Sequence, residues 1–136
     1  MGTSGRHPVL LCPGAATSRW LAFGGHVVDA AGVRLISVDR TGLGASDPAP
    51  GRTLTSWAID IRHLIQERAL RSPSAVGFSQ GAPFALGLAA HSLVNAVAVV
   101  SGSDELAHPS FAHSLNPQGP SPGPPEKHKW APAGPT

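Results

Sequence analysis

With 136 residues, of which 41% are apolar, the sequence can form one domain with a modest hydrophobic core. Its formal net charge is only +2 and its arginines are spread from Arg6 to Arg71, which argues against the basic face of a nucleic-acid-binding protein. The single cysteine, Cys12, excludes an internal disulfide, and no apolar run approaches the ~20 residues that span a bilayer. Because residues 1–8 also lack the apolar segment of a signal peptide, we expect a soluble, cytoplasmic protein with no nucleic-acid or membrane partner.

Short apolar runs alternate along the chain with longer stretches of helical character, and glycine or proline separates many of them. In chain order, the predicted elements are a strand at 9–11, a helix within 15–31 that Gly32 ends, a strand at 33–38, a helix at about 56–70 with Thr55 as N-cap, a strand at 75–78, a helix at 80–92 and a strand at 95–101. Strands that alternate with helices imply right-handed crossovers and a parallel sheet. The predicted fold class is therefore α/β, with about four parallel strands and flanking helices in residues 1–116.

Two of these elements carry a prediction about burial. The helix at 56–70 has one apolar face, formed by Trp57, Ile61, Leu64 and Ile65 at positions i, i+4, i+7 and i+8. Its opposite face carries Asp60, Arg62, Glu67 and Arg68. The last strand is apolar at consecutive positions, 96–100, so we expect both of its faces to be covered.

The composition changes near residue 117. Seven of the 14 prolines lie in residues 117–136, a stretch that also contains glycine and serine and does not suit a helix or a strand. We therefore expect a disordered, polyproline-like tail at 117–136, separate from the domain at 1–116.

The most informative motif is the pentapeptide Gly-Phe-Ser-Gln-Gly at 77–81, which follows the third predicted strand and precedes a helix rich in small residues. In that context, Gly-x-Ser-x-Gly is typical of a nucleophile elbow, a sharp turn that exposes the serine hydroxyl. Ser79 is the candidate nucleophile, and the backbone N–H of Gln80 is a candidate donor to an oxyanion. The alternative is that Ser79 is only a structural turn residue.

Together with two earlier segments, this motif resembles the α/β-hydrolase superfamily, in its lid-bearing branch with a serine nucleophile. The earlier segments are His-Pro-Val-Leu-Leu-Cys-Pro-Gly at 7–14 and Arg-Leu-Ile-Ser-Val-Asp-Arg-Thr-Gly-Leu-Gly-Ala-Ser-Asp at 34–47, and all three follow family order and spacing. The chain departs from the family's His-Gly at Cys12 and Pro13, and Thr41 replaces the usual proline. The resemblance places the second oxyanion donor in the loop at 14–16, at Gly14 or Ala15.

The chemistry that the resemblance implies is hydrolysis of an ester, thioester or amide through an acyl-enzyme, without a metal or cofactor. A small acyl compound would be the substrate, as in carboxylesterases. Serine at position 79 argues against the haloalkane dehalogenase and epoxide hydrolase branches, which use aspartate at the elbow.

A general base and an orienting acid are harder to place. The family takes its base from a histidine late in the chain, and here only His108 and His113 follow the last predicted strand closely. Asp104, or its neighbour Glu105, occupies a position where some members carry the acid, although a solvated loop carboxylate is the alternative. Asp39 and Asp47 are expected in tight-turn roles. The remaining histidines are expected at the surface or in structural roles; they are His7, His26, His63, His91 and His128.

From this resemblance we expect residues 9–115 to correspond to the N-terminal half of such a hydrolase, truncated before the lid and the catalytic-histidine loop. Little or no turnover is then expected from the chain alone. Two alternatives stay open: a non-catalytic fragment or interaction protein whose proline-rich tail binds an aromatic groove, and one half of a complemented enzyme. An exposed sheet edge would also favour self-association.

Overall fold

The structure, a computed structural model, describes residues 5–15, 17–21 and 24–102. Its elements are β1 (His7–Cys12), α1 (Gly25–Ala30), β2 (Val33–Ser37), α2 (Leu54–Glu67), β3 (Ser74–Phe78), α3 (Ala82–Ala90) and β4 (Val97–Val100), with a 3₁₀ turn at Ser79–Gly81 between β3 and α3. The tail predicted at 117–136 and the candidate residues Asp104, Glu105, His108 and His113 lie outside the described residues.

The four strands form one parallel sheet in the order β2-β1-β3-β4. The register pairs Leu10 of β1 with Ile36 on one side and with Ala75 on the other. The predicted α/β architecture of four parallel strands with flanking helices is confirmed. Because parallel strands all end at the same edge, the loops that follow β1 and β3 leave the sheet side by side.

The core lies between one face of the sheet and the helices α2 and α3. From the sheet, Leu10, Cys12 and Ala75 point into it. The helices supply Trp57, Ala58, Ile61, Ala85 and Leu88, each of them buried. The apolar face predicted for the second helix is therefore confirmed, with Leu64 and Ile65 partly buried at its margin.

The N-terminus of α2 differs from the prediction, because Thr53 and not Thr55 is the N-cap. The Thr53 hydroxyl accepts a hydrogen bond of 3.0 Å from the backbone N–H of Ser56, whose own hydroxyl accepts one of 3.0 Å from the N–H of Thr53. This reciprocal capping box needs a side chain that can accept a hydrogen bond three positions after the cap. Thr53 has one in Ser56, whereas the residue three positions after Thr55 is Ala58.

The expectation that β4 is covered on both faces is wrong. Val99 and Val100 are 46% and 48% exposed, and no residue of the strand is buried. The physical reason is its place in the sheet, because β4 is an outer strand of the described sheet and only β3 pairs with it there. Within the described ranges, no helix is long and apolar enough to cross a membrane.

Candidate active site

Ser79 lies in a sharp turn between β3 and α3, and its backbone adopts the left-handed conformation with φ of 51°. That conformation is costly for a residue with a Cβ atom and persists only where the surroundings impose it. Ser79 follows directly on Phe78, the last residue of β3, so the turn stands at the carboxyl edge of the sheet. The hydroxyl-bearing residue of the pentapeptide therefore has the backbone geometry of a nucleophile elbow.

The two glycines of the pentapeptide are required by close approaches of the backbone. A Cβ atom on Gly77 would lie 2.7 Å from the Cα atom of Ala82, in the first turn of α3. A Cβ atom on Gly81 would overlap the carbonyl oxygen of Cys12 and lie 2.8 Å from that of Pro13. Neither position has room for a side chain, and the tight packing holds the turn against the end of β1.

Gly14, two residues beyond β1, lies directly beside Ser79. A Cβ atom on Gly14 would stand 3.3 Å from the Cβ atom of Ser79 and 3.4 Å from the carbonyl oxygen of Phe78. Gly14 is buried, whereas its neighbour Ala15 is exposed. The structure thus brings the predicted oxyanion loop against the predicted nucleophile, with Gln80 next to Ser79 in the 3₁₀ turn.

Two side chains hold this loop through the carbonyl oxygen of Gly14. Arg40 donates a hydrogen bond of 2.9 Å to it from Nη2, and Thr17 donates one of 2.8 Å from its hydroxyl. The Arg40 guanidinium also stacks on the Phe84 ring, 4.4 Å from its centroid. Burial lowers the pKa of Arg40 below its ordinary value, since the charged form is desolvated. Sequence reasoning missed both residues, although Arg40 stands within the segment that carries the family resemblance.

Asp39 organises the loop that follows β2, as its place in the turn predicts. Its carboxylate accepts hydrogen bonds from the backbone N–H groups of Arg19, at 2.6 Å, and Ala45, at 3.0 Å, and it pairs with the Arg19 guanidinium. The N–H of Arg19, then that of Ala45, lowers the pKa of the Asp39 carboxyl. With φ of 57°, Gly44 is also required here, since a Cβ atom on it would overlap that carboxylate. The Asp39 carboxylate therefore has a structural role in holding this loop.

Cys12 is a packing residue in the structure. Its side chain is 1% exposed, and burial raises the pKa of its thiol to about 12, an effect that the nearby Arg40 charge opposes. A thiol with that pKa is not ionised at neutral pH and is a poor nucleophile.

The histidines of the described residues do not supply a base for Ser79. His7 forms a 2.9 Å hydrogen bond with the Ser74 hydroxyl at the opposite end of the strands. His26 and His63 are exposed on α1 and α2, and His91 follows α3. In the same part of the chain, no group of three or more His, Cys, Asp or Glu residues is placed to hold a metal ion.

Comparisons with known proteins agree with this geometry. A structural match is an esterase from Exiguobacterium antarcticum, with a TM-score of 0.56 and 26% identity over 72% of this chain. The chain spans only 39% of that esterase, and no curated protein matches it. The family model for alpha/beta hydrolases matches residues 9–135, a range that crosses the boundary predicted after residue 116, so the division into domain and tail stays a prediction. With nearly its whole length matched, the chain belongs to the alpha/beta hydrolase family.

Proposed function

We propose that this protein provides the nucleophile and oxyanion hole of a serine hydrolase that cleaves carboxylic esters or related acyl compounds. One observation carries the proposal: Ser79 stands in a left-handed turn, φ 51°, with the Gly14 loop packed against it. Other serines of the chain, such as Ser92, share a positive φ, so the proposal depends on the combination of that turn with the Gly14 loop beside the Ser79 side chain. The esterase that matches the fold supports the same reaction class.

In the proposed reaction, the Ser79 hydroxyl attacks the carbonyl carbon of the substrate while a base accepts the hydroxyl proton. The carbonyl oxygen becomes an oxyanion, which the N–H of Gln80 and an N–H of the Gly14–Ala15 loop stabilise. Collapse of this intermediate breaks the ester bond, the base returns the proton to the leaving alcohol, and the acyl group stays on Ser79. Water then hydrolyses the acyl-enzyme by the same sequence of proton transfers.

We propose His108 or His113 as the base that accepts the Ser79 proton, with Asp104 as the orienting acid. All three follow Ser79 in the chain order serine, acid, histidine that is typical of α/β-hydrolases. Replacing the true base should slow acylation by about 10²-fold or more. We therefore expect one of His108→Gln and His113→Gln to lose reactivity while the other variant serves as its control.

The exposure of β4 favours a second candidate, in which a second chain completes the catalytic machinery. An outer strand whose residues Val99 and Val100 are about half exposed can accept a further strand. In that case the base would come from the second chain, and Ser79 would react only in the assembled complex. Size-exclusion chromatography run alongside the labelling experiment separates the two candidates, because the second requires reactivity only in an associated species.

The proposal is tested by labelling the purified chain with a fluorophosphonate probe, which reacts with activated serines. Ser79→Ala should abolish labelling. Ser92→Ala is the matched control, because Ser92 also has a positive φ, 54°, but lies beyond the far end of α3. Labelling that survives in Ser79→Ala would refute the assignment, and so would a folded wild-type chain that stays unlabelled in every oligomeric state.

A further inference from the structure

Four arginines line one cleft at the edge of the sheet opposite Ser79. Arg6 precedes β1, Arg34 is the second residue of β2, and Arg68 and Arg71 lie between α2 and β3. They are dispersed along the sequence, but the fold gathers them because the amino ends of parallel strands and the carboxyl end of α2 meet at this edge. The cleft has a volume of about 430 Å³, and we call it the arginine cleft.

Among the described residues, little of the positive charge of the arginine cleft is compensated. The other described residues that line it are Pro8, Ala69 and Leu70, so none of the described lining residues is acidic. Arg6 pairs with Asp29 of α1, whereas Arg34, Arg68 and Arg71 have no ion pair with any residue that the structure describes. Like charges that line one cleft repel one another, which makes the cleft a region of positive potential.

The Arg34 side chain adds an unsatisfied donor to this charge. Its Nε atom is buried and has no hydrogen-bond partner among the described residues. A buried N–H group without an acceptor costs free energy, and an oxygen-rich anion that draws this guanidinium toward it would supply acceptors. Both the positive charge of the cleft and the unsatisfied Nε–H of Arg34 therefore favour an anionic ligand that is rich in oxygen atoms.

We propose that the arginine cleft binds a small molecule that carries two or more linked phosphate groups. Guanidinium groups present paired N–H donors that match phosphate oxygens, and such charge-assisted pairs are stronger than neutral hydrogen bonds. The three guanidinium groups that have no ion pair among the described residues exceed what one carboxylate can neutralise but match a diphosphate. A volume of about 430 Å³ falls in the range of small-molecule sites, which favours a compact ligand over an extended polymer.

Pyrophosphate is the probe, and isothermal titration calorimetry of the full chain is the measurement. Arg71→Gln should weaken pyrophosphate binding about tenfold, because one charge-assisted contact is lost. Arg62→Gln removes the same charge from an exposed position of α2 outside the cleft, and it should weaken binding less than twofold. Since Arg68 and Arg71 are both exposed, the double variant Arg68→Gln, Arg71→Gln should fold normally and lose binding altogether.

Several results would overturn the proposal. One is absence of pyrophosphate binding to the folded wild-type chain, and another is equal weakening by Arg62→Gln and Arg71→Gln. If a single-stranded oligonucleotide or a polyglutamate peptide bound more tightly than pyrophosphate, the ligand of the cleft would be a polymer and the proposal of a small ligand would be wrong. Because Ser79→Ala leaves the cleft intact, the outcome is independent of whether the chain is a hydrolase.

Discussion

Gly81 and Cys12 are in backbone contact, so close that a side chain at position 81 would overlap the carbonyl oxygen of Cys12 and lie 2.6 Å from its carbonyl carbon. This contact joins the turn that carries Ser79 to the end of the central strand β1. Neither partner can move easily, because Cys12 is 1% exposed and Gly81 is buried. The position of the serine turn is thus set by backbone packing.

We expect Gly81→Ala to destabilise the protein by at least about 2 kcal/mol, since the added methyl group meets backbone atoms that cannot rotate away. Chemical denaturation followed by circular dichroism measures the change. Gly25→Ala is the matched control, because nothing lies within 4 Å of its Cβ position at the start of α1. The control should be neutral or slightly stabilising, and a similar loss in both variants would contradict the steric argument.

The second prediction concerns the hydrogen bond by which Arg40 holds the loop at Gly14, the predicted oxyanion loop. Arg40→Met removes the 2.9 Å bond to the Gly14 carbonyl, so the loop beside Ser79 should lose its fixed orientation. We expect fluorophosphonate labelling to slow about tenfold or more, on the scale of one charge-assisted hydrogen bond. Arg40→Lys should recover part of the rate because it keeps the charge.

Thr17→Val provides an independent check, since Thr17 donates to the same carbonyl oxygen. It should slow labelling less than Arg40→Met does, because a neutral hydrogen bond is weaker. The ¹³C chemical shift of the Gly14 carbonyl should move upfield in both variants, whether or not the chain reacts with the probe. An unchanged shift would show that neither side chain holds the loop in solution.

A third prediction follows from the strained backbone at position 79. Ser79→Gly should be more stable than Ser79→Ala by about 0.5–1 kcal/mol, because glycine adopts a positive φ without the left-handed penalty but loses more entropy on folding. Thermal denaturation of the two variants measures the difference. Equal stability would mean that the turn at 79 relaxes once the hydroxyl is removed.

The fourth prediction concerns pH and Asp39. Its pKa is lowered in the folded protein, so its carboxylate stabilises the fold at pH values above its unfolded pKa, ~3.9. That contribution is lost as the pH falls through the lower folded pKa. Asp39→Asn should therefore reduce stability at pH 7 and flatten the decline of stability below about pH 4.

Asp47→Asn is the control for this titration, because Asp47 acts in the same loop through its backbone carbonyl, which accepts a 3.1 Å hydrogen bond from Gly42. It should leave the stability at pH 7 nearly unchanged, because that backbone hydrogen bond is kept. Urea denaturation at a series of pH values from 2 to 7 gives both curves. Parallel curves for wild type and Asp39→Asn would show that Asp39 does not contribute the pH dependence.

The sequence was sufficient to predict the parallel sheet and the place of Ser79, since short apolar runs and the Gly-x-Ser-x-Gly pattern are local signals. It was insufficient where the deciding contact is distant in the chain. Arg40 and Gly14 are 26 positions apart, and no periodicity connects them. The prediction that both faces of β4 are covered was wrong for a related reason. An apolar run shows what a strand could bury but not which elements lie beside it.

The strain at position 79 has one more consequence, which concerns the interchangeability of the nucleophile. The close approaches of Gly77 to Ala82 and of Gly81 to Cys12 lie on either side of Ser79 and do not involve its side chain. We therefore expect the same turn to present any residue that replaces Ser79 at the same spot. Ser79→Cys would offer a thiol there and Ser79→Asp a carboxylate, so under the proposed function one codon would decide the type of covalent intermediate while the scaffold stays as it is.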